Sequence, residues 1–293
     1  MERELWKIIS VAINALDRRT PRGPRTHSIG RIVRVFLWAA LHDRPTYWAC
    51  DRRHWVGVRP PPALPDQSTM SRRLRQPETW TMIEQLIDRL GDALDDSNLQ
   101  SLVRCLDGKP LPISRHRADP DATFGRGAGG MDRGYKLHAI FPEKNRPVAW
   151  SITPLNQSEP LEAQTLIDDR LSPGYLLADA NYDSNALYEH AGPCGVRLLT
   201  PRRGRGARSL GHRRQSDYRR DAIDRLSAPA SFARDVLQLR RRIETRFAHL
   251  TNFGGGLTCL PPWVRRLPRV RLWVAVKIII RLAKDQLKQP RAA

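Results

Sequence analysis

The sequence has little of what marks secreted or zinc-binding proteins. Only four of its 293 residues are cysteine, and no two of them form a Cys-x-x-Cys pair. Cysteines so few and so far apart indicate neither a disulfide framework nor a zinc knuckle. The eight histidines form no His-Glu-x-x-His zinc pattern either. We therefore expect reduced thiols at Cys50, Cys105, Cys194 and Cys259.

Long uncharged hydrophobic runs are also missing. The most apolar late stretch, residues 270–283, is interrupted by Arg271, Lys277 and Arg281. A membrane-spanning helix requires about 20 predominantly apolar residues. The chain starts with Met-Glu-Arg-Glu and lacks the apolar core of a secretory signal. These absences predict a cytoplasmic protein that does not enter a membrane.

Acidic residues are too few to balance the basic ones. The chain has 50 lysines and arginines against 30 aspartates and glutamates, which gives a formal net charge of +20. Such a surplus attracts polyanions, of which nucleic acid is the commonest and a membrane surface the weaker alternative. With 40% hydrophobic residues, the chain can bury a sizeable core in one or two domains.

The first part of the sequence is predicted to be helical. Apolar residues recur at helical spacing over residues 2–16, 29–41 and 79–94. A shorter helix is expected to begin after Asp66, whose carboxylate can cap it, and to end before the next proline. We therefore predict an all-α N-terminal region over residues 1–98.

From residue 99 onward the pattern becomes that of an α/β domain, which we predict over residues 99–293. Strands are predicted at residues 102–107, 135–141, 148–153, 175–179 and 196–200, and helices at 159–171, 184–191, 232–250 and 264–288. Three antiparallel strands followed by two that are joined through helices predict a mixed five-stranded sheet flanked by helices. The polar face of the last helix predicts that Lys277 points to solvent.

Two segments of this second region are predicted to be loops. Residues 202–220 contain eight arginines and three glycines, so we expect a mobile basic loop. The glycine-rich run 125–130 lacks the Gly-Lys-Ser/Thr of a phosphate-binding loop. We interpret this run as a flexible connector.

Two of the predicted strands end in an aspartate, Asp107 after Leu-Val-Arg-Cys-Leu and Asp179 after Tyr-Leu-Leu-Ala. If the strands are neighbours, these carboxylates can converge. Glu244, at the border of an apolar helix stripe, is a third candidate. Each acid alone has a simpler reading as a turn or ion-pair residue, and Asp183 is expected to cap the helix that follows it. Three converging carboxylates repel one another unless they share a cation, and oxygen-only ligation favours Mg²⁺ or Mn²⁺.

Five short motifs surround these acids. They are Ser68-Thr-Met-Ser-Arg-Arg-Leu74, Leu106-Asp-Gly-Lys109, Gly134-Tyr-Lys-Leu-His138, Leu177-Ala-Asp-Ala-Asn-Tyr-Asp-Ser184 and Arg240-Arg-Arg-Ile-Glu-Thr-Arg-Phe247. In this order they resemble the motifs of DDE transposases of bacterial insertion sequences, in the broad IS four and IS five superfamily. The resemblance implies an RNase H-like catalytic domain in which Asp107, Asp179 and Glu244 form the catalytic and metal-binding triad.

The resemblance also implies the reaction. A DNA transposase of a mobile element cleaves phosphodiester bonds at the insertion-sequence ends and transfers the 3′-OH ends to target DNA, with two Mg²⁺ or Mn²⁺ ions per active site. Asp107 is expected to bridge both ions, with Asp179 on one ion and Glu244 on the other. The expected partner is double-stranded DNA of the terminal inverted repeats and of the target. Because two ends are handled together, we expect a homodimer on DNA, associated with the nucleoid.

Several basic residues are expected to contact this DNA. The family's signature of Tyr, Arg, Glu and Lys reads Leu237, Arg240, Glu244 and Thr251 here, so Arg240 is expected to hold a phosphate. Lys136 is expected to reach the substrate from its strand. The basic loop contributes Arg202, Arg203, Arg205, Arg213 and Arg214, with a solvated linker as the alternative. By the same resemblance, the N-terminal helices recognise the terminal repeats.

Two other functions remain open from the sequence. The departures at Leu237 and Thr251 fit a catalytically decayed transposase remnant that only binds DNA. An RNase H-like nuclease that cuts without strand transfer fits the same acids. All three functions share the predicted fold and the predicted affinity for DNA.

Overall fold

The computed structural model describes residues 2–18, 26–94, 102–114, 118–127, 129–142, 146–203, 214–227, 230–250, 256–257 and 259–288. Thr251 lies outside this description, and so do some side chains of the helix at 230–249, among them Leu237 and Glu244. The chain divides into two compact units, a helical unit of residues 1–96 and 249–293 and a sheet unit of residues 97–248. Among the described helices, none has the length and apolar character needed to cross a bilayer.

The helical unit is built from amphipathic helices. In the described part of the chain these are α1 (Glu2–Asp17), α2 (Ile29–Leu41), α3 (Thr46–Ala49), α4 (Gln67–Arg73), α5 (Pro77–Asp92) and α10 (Leu267–Lys288), with a 3-10 turn at Arg52–His54. The predicted cap of α4 is confirmed, because the Thr69 amide donates to Asp66 Oδ1 at 2.6 Å. Helix α10, which the sequence pattern grouped with the α/β domain, packs here against α1, α2 and α5.

An indole cluster forms part of the core of this unit. Trp38 and Trp55 stack with ring centroids 5.0 Å apart, and Trp6 packs edge-on against Trp38 at 4.8 Å. All three side chains are buried. Offset and edge-on aromatic pairs of this kind stabilise a core beyond the apolar area that they bury.

Lys277 contradicts the expectation that it faces solvent, because its side chain is fully buried. Its Nζ donates to the carbonyl oxygen of Ala40 at 2.7 Å and to Asp43 Oδ1 at 2.5 Å, and it lies 4.7 Å from the Trp273 ring. Burial lowers the pKa of Lys277, and the hydrogen bond to Asp43 acts in the opposite direction. The prediction failed because α10 packs against three helices, which leaves little of its surface to water.

The sheet unit has the mixed α/β architecture predicted from the sequence. Its described strands are β1 (Val103–Pro112), β2 (Thr123–Gly127), β3 (Gly130–Pro142), β4 (Ala149–Pro154), β5 (Gly174–Leu177) and β6 (Val196–Leu199). Its described helices are α6 (Glu159–Leu166), α7 (Asn185–Ala191), α8 (Asp217–Ser227) and α9 (Ala230–His249), with a 3-10 turn at Ala180–Tyr182. The RNase H-like class of a helix-flanked mixed sheet after a helical N-terminal region is thus confirmed.

The strand order is β2-β3-β1-β5-β6, and β4 also pairs with β3. Strand β1 runs antiparallel to β3 and parallel to β5, and β5 runs parallel to β6. Cys105 of β1 is in register with Phe141 of β3 on one side and with Leu177 of β5 on the other. Strand β1 is therefore central, and the two strands that carry the predicted aspartates are direct neighbours.

Strand β2 was not among the five predicted strands. Its last three residues, 125–127, belong to the glycine-rich run that was interpreted as a flexible connector. It forms a hairpin with β3 in which Gly127 is in register with Gly130. A Cβ at Gly125 would lie 2.7 Å from the carbonyl oxygen of Leu155, so glycine is needed for the close approach of the two backbones. Gly125 of this run thus permits strand packing.

Helix α9 lies on one face of the sheet. Its Phe232 ring is 6.4 Å from that of Tyr175 on β5, and its Phe247 ring is 4.9 Å from that of Phe141 on β3. Tyr175 and Phe141 are in register with Val103 and Cys105 of β1. Because side chains alternate along a strand, this is the face toward which position 107 of β1 also projects.

Candidate active site

Asp107 and Asp179 lie on neighbouring segments of the chain, just beyond the last residues that β1 and β5 pair in parallel. Each follows by two residues the in-register pair of Cys105 on β1 and Leu177 on β5. Asp107 is within β1, and Asp179 comes two residues after β5 ends. The folded chain thus places these two acids, which are far apart in the sequence, beside neighbouring strands. The predicted end of the first strand at Asp107 is wrong, because pairing with β3 continues β1 to Pro112.

Local hydrogen bonds orient both carboxylates. Asp179 is the N-cap of the 3-10 turn Ala180–Tyr182, and its Oδ1 accepts from the Asn181 amide at 2.8 Å. The side-chain nitrogen of Asn181 donates to Asp179 Oδ2 at 3.1 Å. Asp107 Oδ1 accepts from the Gly108 amide at 2.8 Å. Backbone donors of this kind stabilise the ionised carboxylate.

The third predicted acid, Glu244, is carried by α9. It comes three residues before Phe247, which packs on Phe141, so the helix that carries it lies on the face of β1 that includes Asp107. The Glu244 side chain lies outside the described residues. Arg240, one turn earlier on α9, is half-buried. The structure thus describes the backbone position of Glu244 and leaves the assignment of its side chain a prediction.

A lysine that the sequence analysis did not assign lies beside Asp107. Lys109 follows it by two residues on the same strand face of β1. Burial lowers the pKa of Lys109, while the negative charge of Asp107 acts in the opposite direction. The signal was present in the sequence, because the motif Leu-Asp-Gly-Lys already has the period-two spacing of a strand.

Lys136, expected to contact DNA, is held by a carboxylate that sequence reasoning missed. Its Nζ donates to Glu159 Oε1 at 2.7 Å, and only 9% of the Lys136 side chain and 18% of the Glu159 side chain are exposed. A Cβ at Gly108 would lie 3.0 Å from Glu159 Oε1 and 3.2 Å from Lys136 Cδ. The pair therefore packs directly against the backbone that follows Asp107. Glu159 is the first residue of α6, and nothing in its local sequence marks it as part of a site.

Tyr182 ends the 3-10 turn that Asp179 caps, and its side chain is fully buried. Burial strongly raises its pKa, and the negative charges of Glu159, Asp107 and Asp179, in decreasing order, raise it further. Its hydroxyl has no hydrogen-bond partner among the described residues. Three carboxylates therefore lie within electrostatic reach of one protonated, buried hydroxyl.

Asp183 does not cap α7 as expected, because the N-cap is Ser184. Its buried carboxylate instead accepts from Arg219 Nε and Nη2, both at 2.7 Å, and from the Arg203 amide at 2.8 Å. Hydrogen bonds to Asp183 raise the pKa of Arg219 most strongly. Asp183 therefore has a structural role. It binds both the backbone at Arg203 and the first turn of α8 through Arg219.

The predicted basic loop is shorter than expected, because α8 begins at Asp217. Arg203 and Arg214 are exposed, and Arg202 is half-buried. Arg205 and Arg213 lie outside the described residues. The described part thus leaves two of the five predicted phosphate contacts on the surface.

The residues just beyond the paired part of β1 and β5 fit a divalent cation. Asp107 and Asp179 supply carboxylate oxygens, which Mg²⁺ and Mn²⁺ prefer as ligands. The buried Tyr182 hydroxyl can supply a hydrogen bond to a ligand carboxylate. Among the described side chains, no three histidines, cysteines or acids are grouped as metal ligands, and Glu244 is not among those side chains.

The protein-family comparison agrees with this geometry. The model of the transposase DDE domain matches residues 98–275, which is more than half of the chain and includes Asp107, Asp179 and Glu244. Comparison with the curated proteins and with the solved structures gives no match. The family implies a metal-dependent nuclease or transposase that acts on DNA. From its fold, its paired aspartates and this match, the chain belongs to the family of DDE transposase domains.

Proposed function

We propose that the protein cuts DNA at the ends of an insertion sequence and joins the freed 3′-OH ends to target DNA. In this proposal Asp107, Asp179 and Glu244 hold two Mg²⁺ or Mn²⁺ ions. The observation that carries it is that Asp107 and Asp179, in the segment matched by the transposase DDE domain, each follow by two residues the in-register pair of Cys105 and Leu177 on neighbouring strands. The membership of an IS four or IS five type element is part of the proposal.

The chemistry follows from the charges at the site. Divalent cations, when bound, supply an activated water and stabilise the leaving 3′ oxygen of a phosphodiester. The chain itself orients the two carboxylates through backbone and side-chain donors, those of Gly108 and Asn181. Hydrolysis and joining are both in-line displacements at phosphorus, so one set of residues serves both steps.

DNA binding would draw on both units. In the sheet unit the exposed Arg203 and Arg214, with Arg240 on α9, are the described candidates for phosphate contacts. In the helical unit Arg72, in the last turn of α4, and Arg75, between α4 and α5, are exposed and can contact a terminal repeat. We further propose a homodimer on DNA and association with the nucleoid.

The direct test is a strand-transfer assay in Mg²⁺. The substrate is DNA that retains the sequences flanking the gene on both sides, with a supercoiled plasmid as target. We expect cleavage and joining by the wild type and a loss of about 10²–10³-fold or more in Asp179→Asn, because a charge that stabilises the transition state is removed. The matched control is Asp168→Asn, an exposed acid of the same unit that pairs with Arg170.

Each outcome separates the proposed function from its alternatives. Joining that depends on Asp179 and not on Asp168 supports a transposase. Cleavage without joining identifies a nuclease, and DNA binding with neither reaction identifies a decayed remnant. Equal activity of the wild type and Asp179→Asn would overturn the assignment of the site.

A further inference from the structure

The buried hydroxyl of Tyr182 has no partner in the protein as described. Its side chain is fully buried, and no described donor or acceptor lies within hydrogen-bond distance of Oη. A buried hydroxyl left unsatisfied destabilises a fold, so such groups call for a physical explanation. The nearby Tyr188 shows the usual arrangement, because its buried hydroxyl bonds to Thr200 Oγ1 at 3.0 Å.

The surroundings of Tyr182 are anionic. Glu159, Asp107 and Asp179 all act on its hydroxyl, which remains protonated and can donate. Glu159 is already occupied, because its carboxylate binds the Lys136 ammonium at 2.7 Å. Asp179 is engaged through both oxygens, by the backbone and side-chain nitrogens of Asn181. Asp107 directly precedes the Gly108 backbone against which Glu159 packs, and it is the acceptor that we consider.

The hydroxyl of Tyr182 belongs to a turn that borders the proposed metal ligands. Tyr182 closes the 3-10 turn capped by Asp179, and α6, which begins at Glu159, packs against the same turn. Carboxylates that bind a metal are in turn oriented by hydrogen bonds from residues around them. The Tyr182 hydroxyl, which has no hydrogen-bond partner among the described residues, is thus available to a carboxylate that binds a cation.

We propose that Tyr182 is a positioning residue of the metal site, whose hydroxyl donates a hydrogen bond to the Asp107 carboxylate when a divalent cation is bound. The inference rests on the proposed function of Asp107 and Asp179 as metal ligands. It adds a residue whose effect passes through Asp107 and not through contact with DNA or with the cation.

The test compares two tyrosines that differ in one respect. Tyr182→Phe removes an unpartnered hydroxyl, and Tyr188→Phe removes a partnered one. Mn²⁺ binding to the full-length protein is measured by calorimetry and by electron paramagnetic resonance, and the melting temperature is measured without metal. We expect Tyr182→Phe to bind Mn²⁺ about tenfold more weakly or worse, with an unchanged or higher melting temperature. Tyr188→Phe should bind Mn²⁺ as the wild type does and melt at a lower temperature.

Asp107→Asn separates failure of this inference from failure of the proposed function. If the wild type binds Mn²⁺ through Asp107 and Tyr182→Phe binds it equally well, the role of Tyr182 is wrong and the metal site stands. If Asp107→Asn binds Mn²⁺ as the wild type does, both are wrong.

A measurement on the wild type makes the result independent of how Tyr182→Phe folds. Addition of Mg²⁺ should shift the near-ultraviolet absorbance of tyrosine as the hydroxyl gains an acceptor. The same addition to Asp107→Asn should produce no shift. A wild-type spectrum that Mg²⁺ leaves unchanged would overturn the proposal.

Discussion

The helical unit and the sheet unit each bury a lysine ammonium, but in different surroundings. In the helical unit, Lys277 bonds to a carbonyl oxygen and to Asp43 and lies over the Trp273 ring. In the sheet unit, Lys136 bonds to Glu159 beside the backbone of Gly108. The first lysine reaches from the buried face of α10 to a single acid that is exposed, Asp43 in the turn after α2. The second neutralises one of three acids that lie around Tyr182.

The difference indicates what each unit is built to do. A buried cation surrounded by acceptors satisfies the interior and stabilises one arrangement of helices. Acids that lie near one another repel, and a fold can retain them where a ligand of opposite charge binds. Substitutions should therefore lower stability in the helical unit and alter binding in the sheet unit.

The largest expected effect on stability is that of Lys277→Ala. The substitution leaves a cavity and an unsatisfied carbonyl at Ala40, which should lower the free energy of unfolding by about 4 kcal/mol. Urea unfolding followed by tryptophan fluorescence reports on this unit, which contains seven of the eight tryptophans. Lys288→Ala, at the exposed end of the same helix, is the control and should cost under about 0.5 kcal/mol. If Lys277→Ala and Lys288→Ala lowered the free energy of unfolding equally, the buried lysine would not stabilise the helical unit as proposed.

A smaller effect is expected from the structural acid next to the site. Asp183→Ala strands the half-buried Arg219 guanidinium and should cost about 3 kcal/mol. Asp179→Asn, four residues away, should change stability by under about 1 kcal/mol while it abolishes joining. Amide hydrogen exchange in the sheet unit measures the free energy of unfolding of Asp183→Ala and of Asp179→Asn. A large loss in Asp179→Asn would show that this acid, too, is structural.

Acid should destabilise the sheet unit through His138. Burial, with Lys136 nearby, lowers the pKa of this fully buried histidine from its usual 6.5 to about 4. Between those values the unfolded chain binds the proton and the folded chain does not, so stability falls as the pH falls. From pH 7 to pH 5 the loss should be about 2 kcal/mol. His138→Gln, which cannot titrate, should show a pH dependence weaker by that amount, and a parallel dependence would contradict the assignment.

The smallest expected effect distinguishes an exposed cation from a paired one. Arg214→Gln should reduce the slope of DNA affinity against salt concentration by about one, because an exposed phosphate contact is lost. Lys136→Gln should leave that slope unchanged, since Glu159 already holds the ammonium. A slope that falls in Lys136→Gln as well would show that DNA displaces Glu159.

Elements with a strong periodic pattern were predicted most reliably. Helix α2 has the predicted bounds of residues 29–41, and Asp66 caps α4 as expected. Strand β2 was missed because Gly125 and its neighbours indicate flexibility, whereas contact with the Leu155 backbone requires a glycine there. Lys277 was misplaced because the pattern of one helix does not reveal how many other helices surround it.

The candidate site divides in the same way. The position of Asp179 just after its strand was predicted, since alternation and a hydrophobic run are local features. The strand end predicted at Asp107 was wrong, because pairing with the distant β3 continues β1 to Pro112. Glu159 and Tyr182 were not assigned, because their surroundings depend on contacts between distant parts of the chain. Glu159 on α6, for example, is bound by Lys136 of β3. Asp183 was assigned a local cap and instead binds Arg219, 36 residues later.

The sequence by itself determined the basic charge, most of the strands and helices in their order, and the aspartates that two of the strands present. These depend on composition and on periodicity over a few residues, which no tertiary contact can change. Only the tertiary structure decided which acids are neutralised, by Lys136 and Arg219, and which hydroxyl is left without a partner at Tyr182. Ion pairing and desolvation depend on distances between residues far apart in the chain, and folding alone sets those distances.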